Sequence, residues 1–164
     1  MSLSDQADWD GIQMESAAVG ARTRRRRWRI DGVQYVSEGE ALLARLLIFM
    51  DIPFTPDVPI LLRREDGRAP SILYVPDFIL DRAAYIWSWP NGRREVIHGL
   101  EVKGSTRPLP GVGRPVKKSY RRTLGKIIRL RQERNINVLL LTDREVRRYF
   151  RHGRLPLRPL PEAR

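Results

Sequence analysis

A glutamate and a lysine stand two residues apart inside an apolar segment, "HGLEVKG", at residues 98–104. Along a β-strand the side chains alternate between the two faces. Glu101 and Lys103 would therefore point to one face, and Leu100 and Val102 to the other. The second pair can enter a core, whereas the charged pair is expected on a polar, accessible face. The segment thus predicts a strand at the border of a hydrophobic core.

The composition limits which kinds of site such a strand can carry. The chain has 164 residues, 41% of them hydrophobic, which favours one folded domain with a core of its own. It has no cysteine and only two histidines, so a disulfide framework and a thiolate or histidine-rich metal site are not expected. Carboxylates and carbonyls suit hard ions such as Mg²⁺. Without a signal pattern or a long apolar segment, a soluble, cytoplasmic protein is predicted.

The charge is strongly positive and unevenly distributed. The net charge is +12, carried mostly by arginine, although residues 1–20 contain four acids and no base. Residues 105–164 contain 17 bases against four acids. Such an excess repels itself unless a polyanion neutralises it, and nucleic acid is the leading candidate. An arginine-rich genome bias and an acidic protein partner remain alternatives.

The first half of the chain reads as a helix followed by strands. Ser37 is a good N-cap, Glu40 three residues later completes a capping box, and Pro53 ends the apolar helix. Strands are predicted over 58–64 and 71–81. Pro76 inside the second of these strands implies an edge or a bulge. A hairpin turns at residues 90–92, and its return strand runs to Gly104.

The second half reads as helix, strand and helix. A helix over 115–134 would have Val116, Tyr120, Leu124 and Ile127 on its core face and Lys118, Arg122, Lys126 and Arg129 as a basic stripe. Residues 136–143 form an apolar run typical of a buried strand, and Asp143 could cap a short helix over 144–152. The predicted organisation is a disordered acidic tail (1–21), a basic arm (22–30), one domain (31–152) and an extended Pro/Arg-rich tail (153–164). The fold class is α/β.

Asp77 and Glu101 are the residues from which chemistry is expected. If their two strands pair, the carboxylates approach across the sheet, and a divalent cation between them would relieve their repulsion. Lys103 could then orient or help deprotonate a water, or compensate charge in a transition state. Glu40 would join them if the start of the first helix packs beside the strands.

This Pro-Asp and Glu-x-Lys pattern resembles that of the PD-(D/E)XK nuclease superfamily, which has the restriction-endonuclease-like fold. The signature corresponds to Pro76-Asp77 and, after 23 intervening residues, Glu101-Val102-Lys103, with Glu40 as the first-helix glutamate. The resemblance covers residues 31–143. It implies an α-β-β-β-α-β core in which helices flank a central mixed sheet.

The resemblance also implies the ligands and the reaction. Asp77, Glu101 and the main-chain carbonyl of Val102 would bind Mg²⁺, for which Mn²⁺ would substitute. Lys103 would position the attacking water, and Glu40 would hold a metal-bound water or a second ion. DNA hydrolysis would leave 5′-phosphate and 3′-hydroxyl ends. DNA contacts are expected from the basic residues Arg24, Arg25, Arg26, Arg27, Arg114, Lys117, Lys118, Arg122 and Lys126.

Several alternatives stay open. Glu40 could serve only its capping box, Asp77 could cap a strand end, and Glu101 with Lys103 could be a solvated ion pair. The whole chain could be a nucleic-acid-binding protein with a decayed site, or an RNA-binding protein of ribosomal type. Among nucleases, the segments resemble transposon end-cleaving, branched-DNA-resolving phage-type and homing enzymes alike. Double-strand cleavage would require a homodimer or a partner nuclease or recombinase.

Overall fold

The computed structural model describes residues 28–62, 72–81, 84–104 and 118–161, with side chains from residue 120 in the last range. The predicted disordered tail 1–21, most of the predicted basic arm and residues 105–117, which include Val116 and the predicted start of the second helix, lie outside the described residues. In chain order the elements are β1 (Trp28–Ile30), β2 (Val33–Tyr35), α1 (Glu38–Phe49), β3 (Phe54–Pro56), β4 (Ile60–Leu62), β5 (Ile72–Tyr74), β6 (Phe78–Leu80), β7 (Tyr85–Ser88), β8 (Arg94–Ile97), β9 (Gly99–Lys103), α2 (Lys118–Arg134), β10 (Val138–Thr142), α3 (Asp143–His152) and β11 (Leu157–Pro159).

A four-stranded mixed sheet forms the centre of the molecule, in the order β10-β9-β6-β3. The pairs β3–β6 and β6–β9 are antiparallel, whereas β10 runs parallel to β9. A parallel neighbour needs a crossover, and α2 provides it between β9 and β10. The predicted α/β class is therefore confirmed, with a mixed sheet and with three helices in the described part of the chain.

Helices cover both faces of this sheet. Phe78, Leu100 and Leu141 point into the cluster that also holds the apolar side of α1 and Val146 of α3. The alternate strand residues, such as Ile79 and Val138, face the other cluster, to which α2 contributes Ile127 and Leu130. Glu101 and Lys103 alternate with Leu100 and Val102, so they lie on the side of α2. The prediction that Leu100 and Val102 enter the core is confirmed, since both are buried.

The hairpin at residues 90–92 forms as predicted, but its return strand divides between two sheets. Residues 94–97 pair with β7, and after His98 the chain continues as β9 in the central sheet. His98 is buried, and its Nδ1 accepts a hydrogen bond from the backbone N–H of Asn137. Within the predicted extended tail, residues 157–159 form the strand β11, which adds to β7, and Leu155 and Leu157 are buried.

The helix ends differ in detail from the expectations. Ser37 caps α1 by accepting from Glu40 N, as predicted. For the last helix the N-cap is Thr142, which forms a capping box with Glu145, so Asp143 is the first helical residue instead. On α2, Ile127 is buried but Leu124 is 40% exposed, which corrects the assignment of Leu124 to the core face.

No helix in the described ranges is long and apolar enough to cross a membrane.

The predicted strand 71–81 is interrupted at its proline. Residues 72–74 pair with β4 in a separate two-stranded sheet, and residues 78–80 belong to the central sheet. Pro76 has no N–H to donate to a ladder, so a change of partner at this point leaves no backbone donor unsatisfied there. The break brings Asp77 to the end of β6, beside β9.

Candidate active site

Asp77 and Glu101 meet where the pairing of β6 with β9 ends. The register pairs Phe78 with Leu100, so the next residue of each strand is Asp77 and Glu101 respectively. Asp77 N donates to Glu101 Oε2 at 3.1 Å, and Val102 N donates to Asp77 Oδ2 at 2.7 Å. Each carboxylate thus accepts a backbone hydrogen bond from the other strand. The break at Pro76 and the strand register together bring the two acids to one place.

Glu101 is held from three sides in a buried position. Its residue exposure is 3%, which corrects the expectation of an accessible surface at this position. Its Oε2 also accepts from the hydroxyl of Tyr74 at 3.3 Å, while Oε1 lies 2.7 Å from Lys103 Nζ. The Lys103 side chain is 31% exposed. The pair therefore reaches from the buried carboxylate to an ammonium that solvent or a substrate can contact.

Lys103 keeps its proton in this setting. Burial acts to lower the pKa of its ammonium, but the charge of Glu101, their hydrogen bond and the charge of Asp77 raise the pKa above its ordinary value. A lysine with a raised pKa is a poor general base. Of the roles expected for Lys103, orienting a water and compensating negative charge both fit this environment, and deprotonating a water does not.

The environment of Asp77 disfavours the ionised form of its carboxyl. Burial raises the pKa of its carboxyl well above the ordinary value, and the charges of Glu101 and Glu40 raise it further. The hydrogen bond from Val102 N and the charge of Lys103 oppose the shift without reversing it. One ammonium is thus shared by more than one carboxylate, and further positive charge would be stabilised here.

Glu40 combines its capping role with proximity to the pair. Its carboxylate accepts from Val36 N at 3.1 Å and from Ser37 Oγ at 3.0 Å, which satisfies the start of α1. Burial raises its pKa, these two bonds lower it, and the charge of Glu101 contributes a smaller increase. The carboxylate therefore bonds to the residues around the start of α1, although to Val36 N rather than to the N-cap N–H of a capping box, and it also interacts electrostatically with Glu101 and Asp77.

Tyr74 is the site residue that the sequence analysis missed. Its side chain is buried, burial and the charges of Glu101 and Asp77 raise the pKa of its hydroxyl, and the group stays a donor to Glu101. Lys126 Nζ lies 5.9 Å from the centre of its ring. The signal available in the sequence was a tyrosine three residues before Asp77. Only the break at Pro76, however, decides that its hydroxyl meets Glu101.

The predicted DNA-contacting residues are only partly in view. Arg24 to Arg27, Arg114 and Lys117 lie outside the described residues, as does the side chain of Lys118. Arg122 is exposed on α2, and Lys126 is half-buried beside Tyr74. Arg129 of the predicted stripe forms an ion pair with Glu133 at 2.9 Å. Trp87 is fully buried and packs against Trp89 and Tyr149.

The donor set suits a hard cation, but the side chains alone do not complete a metal site. Within the described ranges no three histidine or acidic side chains gather as metal ligands. Asp77 and Glu101 contribute a pair of carboxylates, and Val102 follows Glu101 in the same strand.

No protein-family model, curated protein or solved structure matches this chain. The functional argument therefore rests on the geometry of the site and on the charge of the chain.

Proposed function

We propose that the protein is a metal-dependent DNA endonuclease that hydrolyses phosphodiester bonds to 5′-phosphate and 3′-hydroxyl ends. The observation that carries this proposal is the pairing of the half-buried Asp77 with the buried Glu101, with the Lys103 ammonium 2.7 Å from Glu101. A pair of like charges with little access to water lowers the stability of the fold. The presence of such a pair beside a reachable ammonium fits a site that binds a cation and a phosphate.

The order of the elements supports the same assignment. Following α1, the central sheet is built from β3, β6 and β9, and α2 then leads to β10. This is the α-β-β-β-α-β order implied by the resemblance to PD-(D/E)XK nucleases, with the two acids on the second and third strands. A restriction-endonuclease-like core is thus part of the proposal, supported by strand order and by the position of the acids within it.

Asp77 and Glu101 would hold Mg²⁺, with Mn²⁺ as a substitute and Glu40 contributing through a water. The oxygen donors and the surplus negative charge around Asp77 fit such an ion. When bound, the ion supplies Lewis-acid polarisation of the phosphate and acidification of a water. Lys103, protonated at neutral pH, would orient the attacking water and offset the charge that develops on the phosphate oxygens.

DNA is the proposed substrate because the excess positive charge matches the phosphate backbone. The net charge of +12 would strengthen association and make it salt-dependent. One such site cuts one strand at a time, so double-strand cleavage requires two copies or a partner nuclease. A homodimer is the simplest such arrangement.

Cleavage of supercoiled plasmid and of a four-way junction in Mg²⁺, Mn²⁺ or EDTA tests the proposal. Wild type should nick with either ion and not in EDTA. Lys103→Ala and Asp77→Asn should each lose about 10²-fold or more in rate, since each removes charge stabilisation at the reacting phosphate. Arg131→Ala and Glu133→Ala, exposed on α2, serve as matched controls and should cut normally.

The outcome of this assay separates the competing functions. Cleavage that is lost in both site variants and kept in both controls supports the nuclease. If wild type binds DNA equally well with and without Mg²⁺ and never cuts it, alone or with a partner recombinase, a non-catalytic binding protein is the better description. Cleavage that Lys103→Ala and Asp77→Asn both retain would exclude this site as its origin.

A further inference from the structure

The outward face of α3 carries four arginines in one stripe. Arg144, Arg147, Arg148 and Arg151 follow the spacing i, i+3, i+4, i+7, which places them on one side of a helix, and all four are exposed. The opposite side packs into the core through Val146. The stripe spans about 10 Å along the helix axis, at about 1.5 Å per residue. Phosphates of one strand follow each other at about 3.4 Å along the axis of a DNA duplex, so the stripe spans about three of them when it lies parallel to that axis.

The contacts within the molecule leave much of this charge available. Arg147 pairs with Glu38 of α1, and Arg148 lies 5.1 Å from the ring centre of Tyr149. Arg144 and Arg151 have no ion-pair partner within the described part of the chain. On α2, by contrast, Arg129 and Arg131 are engaged by Glu133 and Glu95. Arg144 and Arg151 are therefore not engaged by the fold in the way that Arg129 and Arg131 are.

A cavity of about 490 Å³ continues the basic surface beyond the end of α3. Its lining includes Tyr149, His152, Arg154 and Arg158, and β11 forms one wall through its pairing with β7. Both arginines are exposed, and neither has an ion-pair partner among the described residues. The C-terminal segment, predicted from the sequence as an extended tail, thus places the side chains of Arg154 and Arg158 in the lining of a cavity.

We propose that the arginine face of α3, together with this cavity, binds the backbone phosphates of duplex DNA outside the carboxylate site. Thr142, the N-cap of α3, is paired in register with Lys103, so α3 begins at the same end of the central sheet as the carboxylate site, on the opposite face. DNA that reaches past this end of the sheet can contact Lys103 on one face and the first turn of α3 on the other. This inference rests on the proposed function for the identity of its ligand, but it does not require cleavage.

Salt-dependent DNA binding by the full chain tests the surface. Fluorescence anisotropy with a 30-bp duplex in EDTA gives the association constant between 50 and 200 mM KCl. Each phosphate contact contributes about 0.9 to the slope of log K against log salt. The double variants Arg148→Gln/Arg151→Gln and Arg154→Gln/Arg158→Gln should each lower that slope by roughly 2, with weaker binding at every salt concentration.

The matched control removes the same charge from the other side of the central sheet. Arg121→Gln/Arg131→Gln changes two exposed arginines of α2 and should change the slope less than either α3 variant does. Equal slopes for all three variants would show a general charge effect and overturn the proposal. So would unchanged binding by the α3 variants, or a slope change confined to a 30-bp RNA duplex. If wild type cuts no plasmid, alone or with a partner recombinase, the nuclease proposal is rejected, but the comparison of DNA binding by the variants still tests this surface.

Discussion

At the scale of single residues, Glu101 shows how a buried charge is stabilised. Both of its oxygens are engaged, one by Lys103 and the other by Asp77 N and the Tyr74 hydroxyl. These contacts fix its rotamer and therefore the position of the negative charge. Tyr74 acts through Glu101 and is best regarded as a positioning residue.

Removing the Tyr74 hydroxyl should weaken this arrangement. Tyr74→Phe is expected to lower the free energy of unfolding by about 1–3 kcal/mol, since it removes one hydrogen bond to a buried carboxylate. A double-mutant cycle with Glu101→Gln, measured by urea denaturation in EDTA, should give a coupling of at least about 0.5 kcal/mol. In cleavage assays, Tyr74→Phe should need more Mg²⁺ for half-maximal rate. Additive effects of the two changes would contradict a direct interaction.

The raised pKa of Asp77 predicts how stability varies with pH. Between the unfolded pKa and the raised folded pKa, the folded state binds more protons, so the free energy of unfolding falls as pH rises through that window. Asp77→Asn removes this cost and should unfold at a higher temperature than wild type at pH 7 in EDTA. The melting temperatures of the two proteins should converge below about pH 3.9, the ordinary pKa of an aspartate side chain.

Mg²⁺ provides the check on that interpretation. Adding the ion at pH 7 should raise the melting temperature of wild type, because binding to the folded state alone stabilises it. The same addition should raise the melting temperature of Asp77→Asn much less. An asparagine variant that is less stable than wild type at pH 7 would show that the negative charge of Asp77 stabilises the fold.

At the scale of elements, the start of α1 is packed so closely that it requires a glycine. A Cβ on Gly39 would lie 2.0 Å from Asp143 Oδ1 and 2.9 Å from Val102 Cγ1. These contacts join the first turn of α1 to the start of α3 and to β9. They also hold Glu40 near the acid pair.

Two glycine-to-alanine substitutions in helices should therefore have opposite signs. Gly125→Ala on α2 meets no atom within 4 Å and should stabilise by about 0.5–1 kcal/mol, the ordinary cost of a helical glycine. Gly39→Ala should destabilise by about 1–3 kcal/mol through overpacking, and it should also slow cleavage by displacing α1. Urea denaturation measures both effects. Stabilisation by Gly39→Ala would mean that Asp143 and Val102 move aside at little cost.

At the scale of the whole molecule, the C-terminal segment closes the fold. Leu155 and Leu157 are buried in the same cluster as Trp87 and the apolar side of α1, and β11 is hydrogen-bonded to β7. The segment therefore contributes to the core as well as to the basic surface of α3.

Ending the chain after Gly153 should lower the free energy of unfolding by about 3–6 kcal/mol, since burial of each leucine contributes about 1.5–3 kcal/mol. Ending it after Pro161 keeps β11 and should leave stability unchanged. Thermal unfolding followed by circular dichroism compares the two. Equal stability of the two shortened chains would show that β11 packs without stabilising the fold.

Local patterns in the sequence determined most of the elements and the composition of the site. Alternation in residues 98–104 predicted which side chains of β9 enter the core, Ser37 predicted the start of α1, and the turn at residues 90–92 predicted the hairpin. These features depend on neighbours along the chain, which is why they can be read from it. The membership of Asp77, Glu101 and Lys103 in one group also followed from strand pairing.

Only the tertiary structure decided the features that depend on distant partners. Because the strand is interrupted at Pro76, Tyr74 belongs to one sheet and Asp77 lies at the end of a strand in another, and the Tyr74 hydroxyl reaches Glu101. The strand β11 pairs with β7, and Leu155 and Leu157 of the C-terminal segment are therefore buried in the core. Burial of Glu101 likewise depends on Tyr74 and α2 closing over that face of the sheet. Such outcomes reflect long-range packing, which no window of the sequence contains.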